Sequence, residues 1–187
     1  MPELILILQT LTNVYVSLFL TRLWAGVVGA DFRNPLLIAV VRYTSPILRP
    51  LRRLIPPVGR WDMALITIIL ALEFVLQCVI RILTLGIFSL NFKLLLIAGL
   101  ESIDLALSLG LLFCIGFAAL SWLVPDDPYL PAARCLNDLL APLLRPIRRA
   151  LPNTPGIDFS PMVLMLAIWI LRVTFNARLY PYLWGVG

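Results

Sequence analysis

PILRPLRRLIPPVGRWD at residues 46–62 returns as PLLRPIRRALPNTPGID at residues 142–158, in register and without a gap. Eight of the seventeen positions are identical: Pro46, Leu48, Arg49, Pro50, Arg52, Arg53, Pro56 and Asp62 stand against Pro142, Leu144, Arg145, Pro146, Arg148, Arg149, Pro152 and Asp158. Self-similarity at a fixed spacing marks a duplicated structural unit. Both copies are flanked by strongly apolar sequence, so the unit reads as membrane span, basic proline-rich knuckle, membrane span. Two units fill the chain: residues 1–90 with the knuckle at 34–62, and residues 91–187 with the knuckle at 131–158. Each unit crosses twice, so both enter from the same face. That predicts parallel repeats related by an axis along the membrane normal.

The composition agrees. Of 187 residues, 61% are hydrophobic and 13% charged, and the mean hydropathy is +0.98. This is more apolar surface than one small core can bury. Leu4 to Trp24, Met63 to Leu85, Leu105 to Val124 and Phe159 to Tyr182 are each about 20 residues long, enough to cross roughly 30 Å of hydrocarbon at 1.5 Å per residue. The fold class expected is an all-α integral membrane protein with about four transmembrane helices. The tract from Ile87 to Gly99 is apolar but holds Asn91 and Lys93. It reads as an interfacial helix or as an extension of the third span, which leaves four or five membrane segments. The chain begins MPEL and has no basic residue before Arg22, unlike a cleaved leader, so the first span is expected to be retained.

Arginines set the orientation. Arg33, Arg42, Arg49, Arg52, Arg53 and Arg60 lie between spans one and two, and Arg134, Arg145, Arg148 and Arg149 between spans three and four. The connection between spans two and three carries little beyond Arg81 and Lys93. The positive-inside rule therefore places both basic loops in the cytoplasm and both termini outside, in a cytoplasmic (inner) membrane. Trp24, Trp61 and Trp122 then fall at the cytoplasmic interface as an aromatic belt.

The knuckles have a readable shape. Asn34-Pro35 is a helix start, with Asn as N-cap and Pro at the first helical position; Pro131 opens the equivalent helix. The helix PLLIAVVRYT is expected to stop before Pro46 and to lie at the surface with its apolar side in the acyl boundary. After it, prolines 46, 50 and 56 allow only a turn or two, with one turn over Leu51 to Ile55 started by Pro50. Asp62 is expected to cap its own span, and Asp158 to precede a Ser160 N-cap followed by Pro161.

With its doubled PxLRPxRRxxP element followed by Asp62 and Asp158, Asn34-Pro35 before the first knuckle, Ser121-Trp122 closing the third span and Asp158-Phe159-Ser160-Pro161 opening the fourth, the whole chain resembles the YggT family, called YlmG in cyanobacteria and chloroplasts. The second unit has Leu130-Pro131 where the first has Asn34-Pro35, and Asp62-Met63-Ala64-Leu65 replaces the family's Asp-x-Ser-Pro form. The resemblance implies a small multi-pass membrane factor. It links the chain to osmotic-stress tolerance, to cell or organelle division and nucleoid distribution and, in a plastid branch, to maturation of a cytochrome b subunit.

Three roles compete for the knuckle arginines Arg49, Arg52, Arg53, Arg145, Arg148 and Arg149. They hold the loops inside and snorkel to anionic headgroups; or Arg52, Arg53 or their mates pair with Asp62 or Asp158 to fix a platform; or they bind a phosphate-bearing partner. No glycine-rich loop or interleaved aromatics accompany them, so nucleic acid is not expected. Within the spans, Glu73 and Arg172 lie at hydrocarbon depth, where an unpaired charge is costly, and they are expected to pair across the repeat interface. Arg81, Arg178, Glu101 and Asp104 gather toward the outer ends. The functional alternative is an ion pathway lined by Glu73, Gln77, Asn13, Glu101 and Asp104. Gly99, Gly110, Gly116, Ala118 and Ala119 are candidate close-packing positions.

Enzymatic chemistry lacks a basis. The chain has no histidine, no nucleophile beside a base, no phosphate loop and no metal-spaced cluster, and Cys78, Cys114 and Cys135 stand alone. No catalytic residue, metal or cofactor is expected. The sequence reading is a non-enzymatic membrane scaffold or assembly factor that presents two basic interfacial platforms. Its expected partners are anionic lipid headgroups and membrane or cytoplasmic proteins, with self-association open. The alternative is an ion transport component acting in osmotic stress.

Overall fold

A computed structural model describes residues 2–86, 91–123, 130–150 and 159–184, without the side chains of 85, 122–123 and 178–184. The described residues form six helices, α1 (Pro2–Val28), α2 (Pro35–Arg52), α3 (Met63–Leu85), α4 (Phe92–Leu123), α5 (Pro131–Ala150) and α6 (Ser160–Trp184), and no strand. Four of them, α1, α3, α4 and α6, are long and apolar enough to cross a membrane. From Phe92 onward the tract that contains Lys93 is the first part of α4, so it extends the third span rather than adding a fifth segment.

The proline-bearing helices differ from expectation. α2 runs unbroken through Pro46 and Pro50, and α5 through Pro142 and Pro146. Each such proline withholds an N–H and frees the carbonyl four residues earlier. All four prolines are exposed and lie four apart on one stripe of their helix. The freed carbonyls therefore open outward, where polar surroundings satisfy them, and each helix keeps its buried side intact.

The buried side of α2 faces α1. Its buried residues Leu37, Thr44 and Leu48 share one face. Leu37 packs with Ala25 and Ala30, Leu48 with Val16 and Phe19, and the Tyr15 hydroxyl donates to Tyr43 O at 3.4 Å. α2 thus folds back antiparallel along α1, while its Leu36, Ile38 and Ile47 stay exposed. α5 does the same on α4, with Leu136 against Gly116 and Leu140 and Leu144 against Cys114. α3 enters at the same level, since Ala64, Leu65, Ile68 and Ile69 pack on Val16 and Phe19. The 27 residues of α1 and 32 of α4 reach about 40 and 48 Å, beyond the roughly 30 Å of a hydrocarbon core. α2 and α5 pack along the C-terminal parts of these two long helices, α2 reaching back to Tyr15 and Val16.

The two helical hairpins are joined. Trp24, read from sequence as part of an aromatic belt, donates Nε1 to Leu139 O at 2.8 Å. Asn34 caps α2 by accepting from Leu36 N at 3.0 Å and donates Nδ2 to Pro131 O, at the start of α5, at 2.7 Å. Ala25, Ala30, Leu37, Cys135 and Leu139 form a shared apolar cluster beneath these bonds. Among the spans α4 is central: it touches α1, α3 and α6, whereas α3 and α6 do not touch among the described residues. Gly99 faces Leu70, Gly110 faces Ile168 and Gly116 faces Leu136, so absent side chains on α4 let three neighbours approach. Leu6, Leu11 and Val14 on α1 and Leu166, Trp169 and Ile170 on α6 are exposed, an outward apolar surface suited to lipid.

Candidate functional site: a basic cavity in the first half

Arg22 stands in an apolar helix and is only 8% exposed. Its Nη1 donates to Thr44 Oγ1 at 2.6 Å, Ser45 Oγ at 3.2 Å and Val41 O at 3.3 Å, all on α2. The Thr44 and Ser45 hydroxyls donate in turn to Val40 O at 2.7 Å and Val41 O at 2.5 Å, which leaves their lone pairs turned toward the guanidinium. All three acceptors are neutral. The charges that act on Arg22 are the like charges of Arg52 and Arg49 and the opposite charge of Asp62.

The knuckle supplies the rest of the site. α2 ends at Arg52, and the chain reverses over Val58 to Trp61, whose backbones bond both ways at 3.0 and 3.1 Å. Gly59 supplies the left-handed φ of 62° that this reversal requires, and Arg60 follows it at the apex. Asp62 is the N-cap of α3, with Oδ1 accepting from Leu65 N at 3.4 Å. Its Oδ2 accepts from Arg52 Nε at 2.9 Å and also from Nη2. One carboxylate thereby ties the end of α2 to the start of α3. Arg22, Arg52, Arg60 and Asp62, with Leu23, Gly26, Phe32, Val41 and Leu65, line a cavity of about 400 Å³. Arg49 and Arg53 are exposed on the outer side of α2.

In the second half, Arg145, Arg148 and Arg149 are exposed along the last turns of α5. Arg145 lines a second cavity, of about 590 Å³, with Asp31 and Asp138 among its walls, so its charge is mixed. Asp158 and the rest of the second knuckle, residues 151–158, lie outside the described residues. Cys135 is buried between the hairpins; burial pushes its thiol above the ordinary range, and the nearby Asp138 charge adds to that. Such a thiol is a packing residue rather than a nucleophile. Among the described residues no three His, Cys, Asp or Glu side chains gather as a metal site needs. α6 begins at the predicted cap residue, one position before Pro161: Met162 N and Val163 N bond to Phe159 O, which puts Ser160 inside the first turn.

The expected Glu73–Arg172 pair does not form. Arg172 instead makes a fork to Asp104, Nε to Oδ1 at 2.8 Å and Nη2 to Oδ2 at 3.0 Å, and Asn176 Nδ2 adds a bond to Oδ1 at 2.9 Å. The reason is helix adjacency: α6 packs on α4, and α3 and α6 are not neighbours. Similar depth is not contact. Glu73 is 2% exposed, one turn from the buried Gln77, and its Oε1 has no hydrogen-bond partner among the described residues.

The sequence reading treated Arg22 only as the first basic residue of the chain. The missed signal was an arginine inside an apolar span followed by Thr44-Ser45 in an otherwise apolar helix, which is a donor and two hydroxyl acceptors on segments that can fold together.

These elements define a four-span, all-helical membrane protein whose two proline-bearing helices join into one basic body. The family model described as CCB3/YggT matches residues 1–83 and 96–179, and the chain belongs to that family. It is 36% identical over 177 residues to the uncharacterized protein YggT of Escherichia coli (strain K12), covering 92% of this chain and 89% of the relative. An uncharacterized protein of Pseudomonas aeruginosa is 37% identical over 168 residues, covering 89% of this chain and 85% of that one. One of Haemophilus influenzae is 31% identical over 183 residues, covering 97% and 96%. No solved structure matches.

Proposed function

We propose that the chain is a non-enzymatic scaffold or assembly factor of the cytoplasmic membrane, with its basic hairpins on the cytoplasmic side and both termini outside. Its partners are anionic headgroups and membrane or cytoplasmic proteins, and its work is membrane organisation, division or membrane-protein maturation. The observation that carries this reading is the joint between the hairpins. Asn34 to Pro131 ties the start of α2 to α5 and Trp24 to Leu139 ties α1 to α5, while Arg49, Arg53, Arg145 and Arg149 stay exposed. Helices that served only to orient loops would not need to be fixed to one another. An anionic leaflet adds about 1 kcal/mol per arginine near its surface, enough to seat the body without selecting a partner.

The test is in-cell photocrosslinking from positions 53 and 149. One partner captured from both hairpins, and lost when Arg49, Arg53, Arg145 and Arg149 become glutamine with topology unchanged, is the expected result. Capture and cell phenotype unaffected by the four replacements would overturn the reading.

A second reading, ion transport in osmotic stress, is favoured by Glu73, a buried acid at hydrocarbon depth with an unpartnered oxygen beside Gln77. Ion flux in proteoliposomes that Glu73→Gln abolishes and the four arginine replacements spare would establish it over the scaffold.

A further inference from the structure

We propose that the cavity between α1, α2 and the start of α3 is a binding site for a phosphate group, held by Arg22 and Arg60 with Arg52 at its rim. This deepens the platform reading by naming the chemistry of one ligand, and rests on that reading only for the position of the cavity at a membrane face.

Charge is the first argument. Three guanidinium groups and one carboxylate line the cavity, and that carboxylate is already engaged: Oδ2 by Arg52, Oδ1 by the first turn of α3. Arg60 has no ion pair among the described residues. Arg22 bonds only neutral oxygens. A buried guanidinium with no carboxylate bonded to it carries a desolvation cost that neutral acceptors offset only in part. An anion in the cavity supplies what the protein withholds.

Preorganisation is the second. All the hydrogen bonds of Arg22 within the described residues use Nη1, and the residue lines the cavity. Three oxygens on α2 thus fix the plane of the group while its remaining N–H donors stay available. Guanidinium donors in a fixed plane match the oxygens of a phosphate, and fixing them beforehand reduces the ordering cost of binding.

Shape and position are the third. About 400 Å³ lies within the roughly 300–1,000 Å³ of small-molecule sites. The wall combines three arginines with the apolar side chains of Leu23, Phe32, Val41 and Leu65. It sits where α3 begins and where α1 outruns the hydrocarbon, the level of lipid phosphates. The same phosphate chemistry is offered by an anionic lipid headgroup and by a free phosphate.

The experiment uses the full chain purified in detergent micelles, titrated with short-chain phosphatidylglycerol, with inorganic phosphate and with short-chain diacylglycerol as the uncharged control. Arg60→Gln removes an exposed apex charge and is expected to weaken phosphate-dependent binding about tenfold. Gly26→Leu keeps every charge and intrudes on the cavity, since a Cβ there meets nothing within 4 Å, and is expected to weaken binding by at least about tenfold. Arg53→Gln, outside the cavity, is expected to bind like the parent.

Phosphatidylglycerol bound with inorganic phosphate a weak competitor assigns a lipid; inorganic phosphate bound without lipid assigns a soluble ligand; both support the site. Equal binding of diacylglycerol, Gly26→Leu and Arg60→Gln within twofold of the parent, or equal loss in Arg53→Gln overturns it. Because Arg22→Gln endangers the fold, Arg22→Lys, which keeps the charge and loses the fork, serves as the buried variant and is expected to bind several-fold more weakly. Crosslinking from position 149 on the same chains separates the two claims: partner capture that persists where the parent never binds phosphate removes the cavity and leaves the platform.

Discussion

Each half of the described chain runs long helix, proline-bearing helix, long helix, and the two differ in their polar contents. Ninety-six residues beyond Arg22, Thr44 and Ser45 stand Ala118, Leu140 and Ala141, and beyond Glu73 and Gln77 stand Trp169 and Val173. In the other direction, Asp104, Arg172 and Asn176 have Leu8, Leu76 and Ile80 ninety-six residues before them. Where the first half opens a basic cavity, the second closes an apolar cluster of Cys114, Leu140, Leu144 and Leu164. Within the spans the first half leaves Glu73 with an unpartnered oxygen, and the second joins Asp104 to Arg172 in a fork beside Asn176, whose own Oδ1 has no partner among the described residues. Polar groups matched within the protein hold it together, whereas those left unmatched are available to a ligand or an ion. By that criterion the second half is the brace and the first the working half.

The largest effect should come from the brace. Asp104→Leu gives the second half the residue that the first has at Leu8 and takes both fork bonds from Arg172. Asp104 is mostly covered by protein and Arg172 less so, so the lost fork is replaced only in part by other contacts. The expected cost is about 3 kcal/mol, read as a lower unfolding midpoint in detergent. Adding Arg172→Leu, the counterpart of Leu76, should return most of it, because well-packed apolar residues replace a buried pair at little cost. A double variant as unstable as the single would break the comparison.

The limits of reading this molecule from sequence follow the same line. The spans were legible because about twenty apolar residues in a row have few other fates in a folded chain, and the knuckles because they occur twice. Helix continuity through Pro46 and Pro50 was not, since whether a proline ends a helix depends on which side its freed carbonyl faces. The partner of Arg172 was not, because depth along a span says nothing of the rotation or order of helices. The cavity was missed for a related reason: Arg22 and Thr44 are 22 residues apart, and only the antiparallel return of α2 along α1 brings them together. The Arg52–Asp62 tie, ten residues apart across a proline-rich turn, was within reach of local reasoning and had been one of three open alternatives.

A middle-sized effect sharpens the contrast at Thr44. Thr44→Val conserves shape, removes the 2.6 Å acceptor from Arg22 and should cost about 2 kcal/mol, the usual scale for a hydrogen bond to a charged group. Thr44→Ser keeps the hydroxyl and should lose well under half of that. Leu140→Thr makes the reciprocal change. It places a hydroxyl in the apolar cluster and removes buried side-chain volume from a residue 1% exposed, for a cost of about 2 kcal/mol by lost burial. Unfolding midpoints of the three chains decide the matter. If Thr44→Val is silent, Arg22 is not held as the geometry indicates, and the first half loses its claim to a preorganised site.

The smallest effect concerns space rather than charge. Gly26 lies on the cavity wall in the last turns of α1, and a Cβ there meets nothing within 4 Å. Gly26→Ala should therefore stabilise by about 0.5 kcal/mol, through reduced freedom of the unfolded chain and better helix propensity. Gly116, on α4 in the second half, would place its Cβ 3.3 Å from Leu136 Cδ1. The same propensity gain there is opposed by a contact that the leucine methyl must relieve by moving a few tenths of an ångström, and α5 packs behind it. The expected net change at Gly116→Ala is near zero or slightly unfavourable. Opposite responses to one chemical change, measured as paired midpoint shifts, would show that the first hairpin encloses room and the second does not. Equal gains at both glycines would mean that α5 yields as readily as empty space, leaving the difference between the halves to rest on charge alone.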